Sequence, residues 1–445
     1  MRIYTAHFKS VINYAGFAWQ PSLAKTHVDA LERQQNRALR IVTGHTRTTP
    51  VEALYLETGE PNIRTVIDRN IISAAEKCLR LPDDHPRNIA YTNTLPHKGL
   101  KRQNWGTRAR QLQSKLPAET VHRKPLIYFE HPPWLHCPTI EVYTSLPGIT
   151  SKNDNEVKII EAALSQIRSF NPSMTLYTDG SASAGTHDGG AGIVTTTGDP
   201  SDITITSITR CKGSKFTSSY EEELCAMETA AEIIAQTATD TDTVVIGTDS
   251  QSLCMALLNL NRDTDNIRAN LARTKAKTII QWIPGHSNIP GNEAADSAAK
   301  EAANLPDQFR PVSFRSICSL IKERICDSGP KHERLGKVYS CYSAAKEKEI
   351  TSRTEQVDLA RIRAGHHTKF HAYQHRLDES NDPSCPRCQA AIHDVEHWFL
   401  HCPGTEAAKH EIFGNEANDG LGLLTKCPRK SITLARRTLL GVKQD

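Results

Sequence analysis

Apolar and polar positions change period along the chain, and each change marks a boundary. Over residues 1–82 the spacing is helical. Leu31, Gln34, Ala38, Ile41 and Val42 share one face, with Arg33, Arg37 and Arg40 beside them. Residues 83–173 lose any period, because prolines at 82, 86, 96, 117, 125, 132, 133, 138, 147 and 172 interrupt them. This stretch reads as a linker with local structure, draped on a neighbouring domain. From 174 to 304 short apolar runs alternate with helical patterns. Strands are expected at 174–178, 191–197 and 203–211, the third with one solvated face. A helix follows over 219–236, capped by Ser218 or Ser219, with Glu221 and Glu222 in its first turn where the dipole favours anions. Then come a strand at 243–248, helices at 251–258 and 267–273, a strand at 278–283 and an alanine-rich helix at 292–303. Three successive strands imply an antiparallel meander. The whole order implies an α/β fold, a mixed five-stranded sheet with helices on both faces. Residues 305–445 return to helical patterns, so the sheet domain is flanked by mostly helical N- and C-terminal regions.

Length and charge sharpen this division. A chain of 445 residues implies two to four units. No apolar run approaches the ~18 residues of a membrane helix. Lys9 interrupts the only candidate signal segment, so an intracellular protein, cytoplasmic or nuclear, is expected, with no membrane partner. Lys+Arg against Asp+Glu is 20 to 10 over residues 1–125 but 9 to 17 over 171–303. The basic flank favours phosphate backbones, whereas the acidic centre needs cations to hold nucleic acid.

That acidic centre carries the chemistry. Asp179 follows the run Leu176-Tyr177-Thr178, and Asp249 ends the run Val244-Val245-Ile246-Gly247-Thr248. Adjacent strands ending on one side bring these two carboxylates together. Glu223, one turn into the first helix, points down between them, and Asp296 reaches the same corner from the last helix. Four such carboxylates repel unless they share protons or hold cations. An all-oxygen set selects a hard ion, Mg²⁺ or Mn²⁺. Two ions ~3.5–4 Å apart activate a water and stabilise the leaving oxygen of a phosphodiester. His286, ten residues before Asp296, lies on a loop from which it can carry a proton.

The motifs Thr178-Asp179-Gly180-Ser181, Glu223-Leu224-Cys225-Ala226, Thr248-Asp249-Ser250 and Gly285-His286 with Gly291-Asn292-Glu293 and Asp296 resemble type 1 ribonuclease H over about 130 residues. The resemblance implies a ribonuclease H-like fold and an endoribonuclease that cleaves the RNA strand of RNA–DNA hybrids. Asp179, Glu223, Asp249 and Asp296 would hold two Mg²⁺ ions, with Mn²⁺ as a substitute, and His286 would assist product release. Gly180 and Ser181 would approach a sugar, whose 2′-hydroxyl separates RNA from DNA. Two departures stand out. Ser219 and Tyr220 occupy the place where the family often has Asn against the hybrid, and the basic protrusion of some members is missing. Hybrid binding would then draw on the basic flanks.

In the tail, Cys385, Cys388, His397 and Cys402 have the spacing of a closed tetrahedral Zn²⁺ site, with His393 and His401 as rival ligands. This segment, with Arg363-Ala364-Gly365-His366 upstream and Cys402-Pro403 at its end, resembles the C-terminal knuckle of LINE-type retrotransposon proteins. Tyr14 to Trp19, Gln34 to Arg40, Thr49-Pro50 and Leu54 resemble the segment that follows the polymerase in the same jockey-like, non-LTR proteins. The polymerase's Tyr-x-Asp-Asp turn is absent. Asp83-Asp84 lie instead in Leu-Pro-Asp-Asp-His-Pro. The resemblance thus implies the C-terminal part of a reverse transcriptase polyprotein. Its regions would be a helical remnant (1–82), the linker (83–173), the ribonuclease H domain (174–304) and a helical tail with the knuckle (305–445). Two rival readings are a nucleic-acid-binding remnant with weak catalysis and a DNA-directed nuclease of related fold. Glu223 and His286 argue against the second.

Overall fold

The computed structural model describes residues 1–94, 104–126, 140–149, 156–183, 185–285, 287–306, 310–326, 332–342 and 349–441. They form two compact units. One comprises 73–94 and 111–324, and the other 1–72, 104–110 and 325–441, taken over the described residues.

The first unit is built on a six-stranded sheet. Its strands are β1 (Ile140–Tyr143), β2 (Met174–Ser183), β3 (His187–Asp199), β4 (Asp202–Lys212), β5 (Thr243–Thr248) and β6 (Lys277–Trp282). Their order is β1-β6-β5-β2-β3-β4. β2, β3 and β4 make the expected antiparallel meander, and β5 and β6 join β2 in parallel. The sixth strand extends the five expected from the sequence. β1 lies in the proline-rich stretch read as linker and pairs parallel with β6, Ile140 opposite Thr278 and Tyr143 opposite Gln281. Four residues are too few to set a period of their own. Their partner strand imposes the extended form.

The helices are α1 (Glu156–Ser169), α2 (Ser219–Thr237), α3 (Gln251–Leu258), α4 (Asp265–Leu271), α5 (Pro290–Ala303) and α6 (Phe314–Arg324). Strand alternation divides them between the faces. Leu176, Ile193, Val244, Ile246 and Ile280 point to one face and pack on α2, α3 and α4. Tyr177, Val194, Val245 and Ile279 point to the other, against Ala163 and Ile167 of α1 and Ala295 of α5. The middle of β5 is buried on both sides, as a central parallel strand must be. Alanine-rich α5 lies very close to β3. A Cβ at Gly192 would stand 2.3 Å from the Ala295 carbonyl oxygen, so only glycine admits this approach.

Segments outside 174–304 also belong to this unit. Lys124 N–H donates to the Val312 carbonyl (3.0 Å), and Val312 N–H to the His122 carbonyl (2.8 Å). The buried Arg80 guanidinium donates to the carbonyls of Lys124 and Val312 at 2.9 and 2.5 Å. The unit is therefore larger than the 174–304 interval that the sequence marked.

The second unit also crosses the boundaries read from the sequence. Residues 1–72 and 325–441, expected as separate helical regions, share one core. Ala53 packs in a cluster with Leu335, Val338, Ile362, Trp398 and Leu434. Inside it, Glu57 accepts from Arg363 (2.9 Å) and Tyr339 (2.5 Å), and its carbonyl accepts from Tyr342 (2.7 Å). Among the described residues no helix is long and apolar enough to cross a membrane.

Candidate active site

The register of β2 on β5 builds the site. Thr178 pairs with Thr248, the last rung on that edge, so Asp179 and Asp249 come next, side by side. β5 stops there, but β2 continues to Ser183 because its other edge stays paired with β3. Asp179 thus lies inside a strand rather than at its end. The Ser218 hydroxyl caps α2 by accepting from the Glu221 N–H (3.3 Å). This fixes the first turn and aims Glu223 at the sheet. Ligand oxygens of Asp179, Glu223 and Asp249 lie within 4.8 Å of one another. Asp296 sits in the second turn of α5, which begins at Pro290, two residues before the helix start expected from the sequence. It is outside this trio, but it shares a hydrogen bond with Asp179 and accepts from Lys300 at 2.5 Å.

Two glycines set how tightly the site closes. A Cβ at Gly180 would stand 2.1 Å from the Glu223 backbone nitrogen, and one at Gly285 2.4 Å from Asp249 Oδ2. The Trp282 indole donates to the Asp249 carbonyl (3.1 Å) and anchors the end of β5. Gly180→Ala is expected to force α2 away from β2. It should cost about 1–3 kcal/mol and move Glu223 off the site, read together by denaturant unfolding and by loss of metal binding.

The carboxylates perturb one another. Burial first, then the charges of Asp249 and Asp296, push the Asp179 carboxyl up to about 7. Glu223 is held well above the usual range by burial and then by Asp179 and Asp249. One of its oxygens, Oε2, is buried with no hydrogen-bond partner. An orphaned oxygen among clustered acids is what a hard divalent cation satisfies, so the donor set fits Mg²⁺. A pH dependence follows. Folded Asp179 keeps its proton up to about 7, whereas an unfolded aspartate releases it near 4. Between these values the folded state binds more protons, so acidification stabilises the metal-free protein, and that contribution is lost as pH rises through about 7. In chelator, the wild type should gain more thermal stability than Asp179→Asn on going from about pH 8 to about pH 6. Equal gains would contradict the shift.

His286 lies outside the described residues. Gly180 is half-buried against Glu223, Ser181 is half-buried, and Ser219 is exposed at the first residue of α2. Lys300 was not singled out in the sequence, although its position four residues after Asp296 puts both on one helix face.

The second unit holds another cluster. Ligand atoms of Cys385, Cys388, His397 and Cys402 lie within 4.8 Å of one another. Cys385 and Cys402 sulfurs are 3.7 Å apart, and Cys388 Sγ is 3.2 Å from His397 Nε2. A tetrahedron with Zn–S near 2.3 Å has sulfurs about 3.8 Å apart, so the thiol spacing fits zinc. Buried His393 is outside this group and accepts from the His371 N–H through Nδ1 (3.4 Å). His401 is outside it as well.

Comparison with curated proteins gave no match. Among solved structures the chain is similar to RNase H1 from the halophilic archaeon Halobacterium salinarum NRC-1, at 23% identity over 29% of this chain and 96% of that one, with a TM-score of 0.25. It is similar to a foamy viral protease-reverse transcriptase in complex with dsDNA, at 21% identity over 30% and 96%, with a TM-score of 0.26. It is also similar to LC11-RNase H1 in complex with an RNA/DNA hybrid, at 16% identity over 29% and 98%, with a TM-score of 0.25. Residues 171–304 match the family model for RNase H, and this part of the chain is an RNase H domain.

Proposed function

We propose that the chain is a type 1 endoribonuclease that cleaves the RNA strand of RNA–DNA hybrids by two-metal hydrolysis. The observation that carries this reading is the convergence of Asp179, Glu223 and Asp249, with Glu223 Oε2 buried and unpartnered. Asp179, Glu223, Asp249 and Asp296 would hold Mg²⁺, or Mn²⁺ in its place. When bound, the ions supply an activated water and stabilise the leaving oxygen. The protein's own groups do the rest. Glu223 and Asp249 present fixed oxygens, because α2 is clamped on Gly180 and β5 is anchored through Trp282. Asp179, whose carboxyl is pushed up to about 7 by burial and its acidic neighbours, would have to release its proton to serve as a ligand. The Gly180–Ser181 backbone offers a close approach for a sugar edge, and exposed Ser219 lies at the entry of α2. His286 is assigned to product release through the family motif alone.

The same reading includes a structural Zn²⁺ held by Cys385, Cys388, His397 and Cys402, and an origin in a LINE-type, jockey-like retroelement reverse transcriptase. The origin rests on the motif resemblances in both flanks. The test of activity is direct. Purified chain with Mg²⁺ and an end-labelled hybrid should shorten the RNA, leave the DNA strand intact and spare duplex DNA. RNA left whole by folded, metal-loaded protein that binds the hybrid would replace this reading with that of a nucleic-acid-binding remnant.

A further inference from the structure

The second unit joins two loops more than 300 positions apart in sequence. Helix Lys25–Thr43 ends at Gly44 (φ 73°), and helix Arg353–Ala364 ends at Gly365 (φ 70°). Each left-handed glycine is followed by histidine and a hydroxyl- and base-bearing loop, His45-Thr46-Arg47-Thr48 in one and His366-His367-Thr368-Lys369 in the other. The loops are stitched together. Arg361 Nε donates to the Gly44 carbonyl (2.8 Å), and His45 Nε2 meets the Ala360 carbonyl (3.1 Å). Arg376 Nη1 donates to His366 Nε2 (3.1 Å), which leaves the ring's Nδ1–H to donate to Thr48 Oγ1 (3.2 Å). The Thr48 hydroxyl in turn meets the Tyr373 hydroxyl (2.8 Å).

This corner carries positive charge that its own carboxylates do not neutralise. Arg40, Arg334, Arg361 and Arg376 donate to carbonyls or to His366. None of the four, and neither Arg47 nor Lys369, forms an ion pair among the described residues. Of the acids nearby, Asp358 is hydrogen-bonded to His367 (3.3 Å), and Asp394 and Glu396 act on Arg334 only at longer range. The field is felt by the buried rings. Burial first, then Arg376 and Arg334, push His366 down to about 4. Arg47, Thr48, Thr368, Lys369 and Arg376 are exposed.

We propose that this corner binds the phosphodiester backbone of nucleic acid. Arg47, Lys369 and Arg376 would contact phosphates, and Arg361 and His366 would hold the two loops in register. Exposed cations and hydroxyls carried on two stitched loops can meet successive phosphates along a strand. The site belongs to the second unit and does not depend on the hydrolytic reading.

The test uses the full chain carrying Asp249→Asn, so that bound nucleic acid is not cut, and measures anisotropy of labelled single-stranded RNA and of labelled hybrid across a salt series. Replacing Arg47, Lys369 and Arg376 together with alanine is expected to weaken binding at least tenfold. It should also lower the log–log salt slope by about two to three, at ~0.7–0.9 per phosphate contact. The charge-keeping set Arg47→Lys, Lys369→Arg and Arg376→Lys should retain the slope. Because Arg376→Ala also removes the bond to His366, the pair Arg47→Ala and Lys369→Ala is measured beside it, and that pair should melt like the parent and still lower the slope by about one to two. An unchanged slope in the alanine set, or equal loss in the charge-keeping set, overturns the proposal. So does a loss confined to inorganic polyphosphate or to anionic lipid vesicles used as competing probes. Hybrid cleavage by the otherwise unaltered chain is scored separately, so failure of one reading leaves the other intact.

Discussion

Asp249→Asn is expected to abolish hybrid cleavage while making the metal-free protein more stable. The substitution keeps the shape of the side chain and removes one of the three carboxyl groups that converge within 4.8 Å. With one ligand charge gone, the loss of transition-state stabilisation is several kcal/mol, which is on the order of a thousandfold in rate. The fold should survive, because the contact that anchors the end of β5 runs from Trp282 to the Asp249 backbone carbonyl, which Asn retains. Stability should rise in chelator, since Asp249 is the largest of the charges that push up Asp179 and also acts on Glu223. Paired measurements decide the matter: cleavage of an end-labelled hybrid in Mg²⁺, and thermal unfolding in chelator near neutral pH. A variant that still cuts would remove Asp249 from the metal site. One that is dead and also less stable in chelator would point to a damaged fold instead.

The second large effect is expected from Cys402→Ser, or from stripping the proposed zinc with a strong chelator. Cys402 closes the turn His397–His401 and precedes the helix Pro403–Phe413. Between the proposed ligands His397 and Cys402 lie Trp398 and Phe399, both deep in the core of the second unit. A structural zinc contributes about 10–16 kcal/mol in small zinc-finger peptides. Here the apolar core offsets part of its loss, so local opening rather than complete unfolding is expected. Amide exchange over residues 385–413 should accelerate by orders of magnitude, with one equivalent of zinc released. Exchange unchanged in Cys402→Ser, with no zinc in the purified chain, would mean four reduced side chains that merely lie close.

The site was more legible in the sequence than the architecture around it. Asp179 and Asp249 each follow an apolar run, so their approach could be inferred once those runs were taken as neighbouring strands. Glu223 follows a capping serine at helical spacing. These are local signals. What was hidden depends on partners far away in sequence. β1 exists because β6 offers it an edge, and its four residues carry no period among the surrounding prolines. The continuation of β2 past Asp179 is set by β3, not by β5. The shared core of residues 1–72 and 325–441 rests on pairs such as Glu57 with Arg363, which no local pattern marks. Lys300 is the exception, visible from helical spacing but overlooked beside the acids.

The discontinuity of the second unit has a consequence for biosynthesis. Its early segment, residues 1–72, is made long before residues 325–441, which complete its core. During that interval Ala53 and Leu56 lack their permanent cover. The sheet unit, which is nearly continuous in sequence, can complete its core first. Chains of this kind form their long-range contacts last and present apolar surface while they wait. The nascent protein therefore passes through a stage with one finished domain and one open half-core, and this stage is where chaperone capture or aggregation would act.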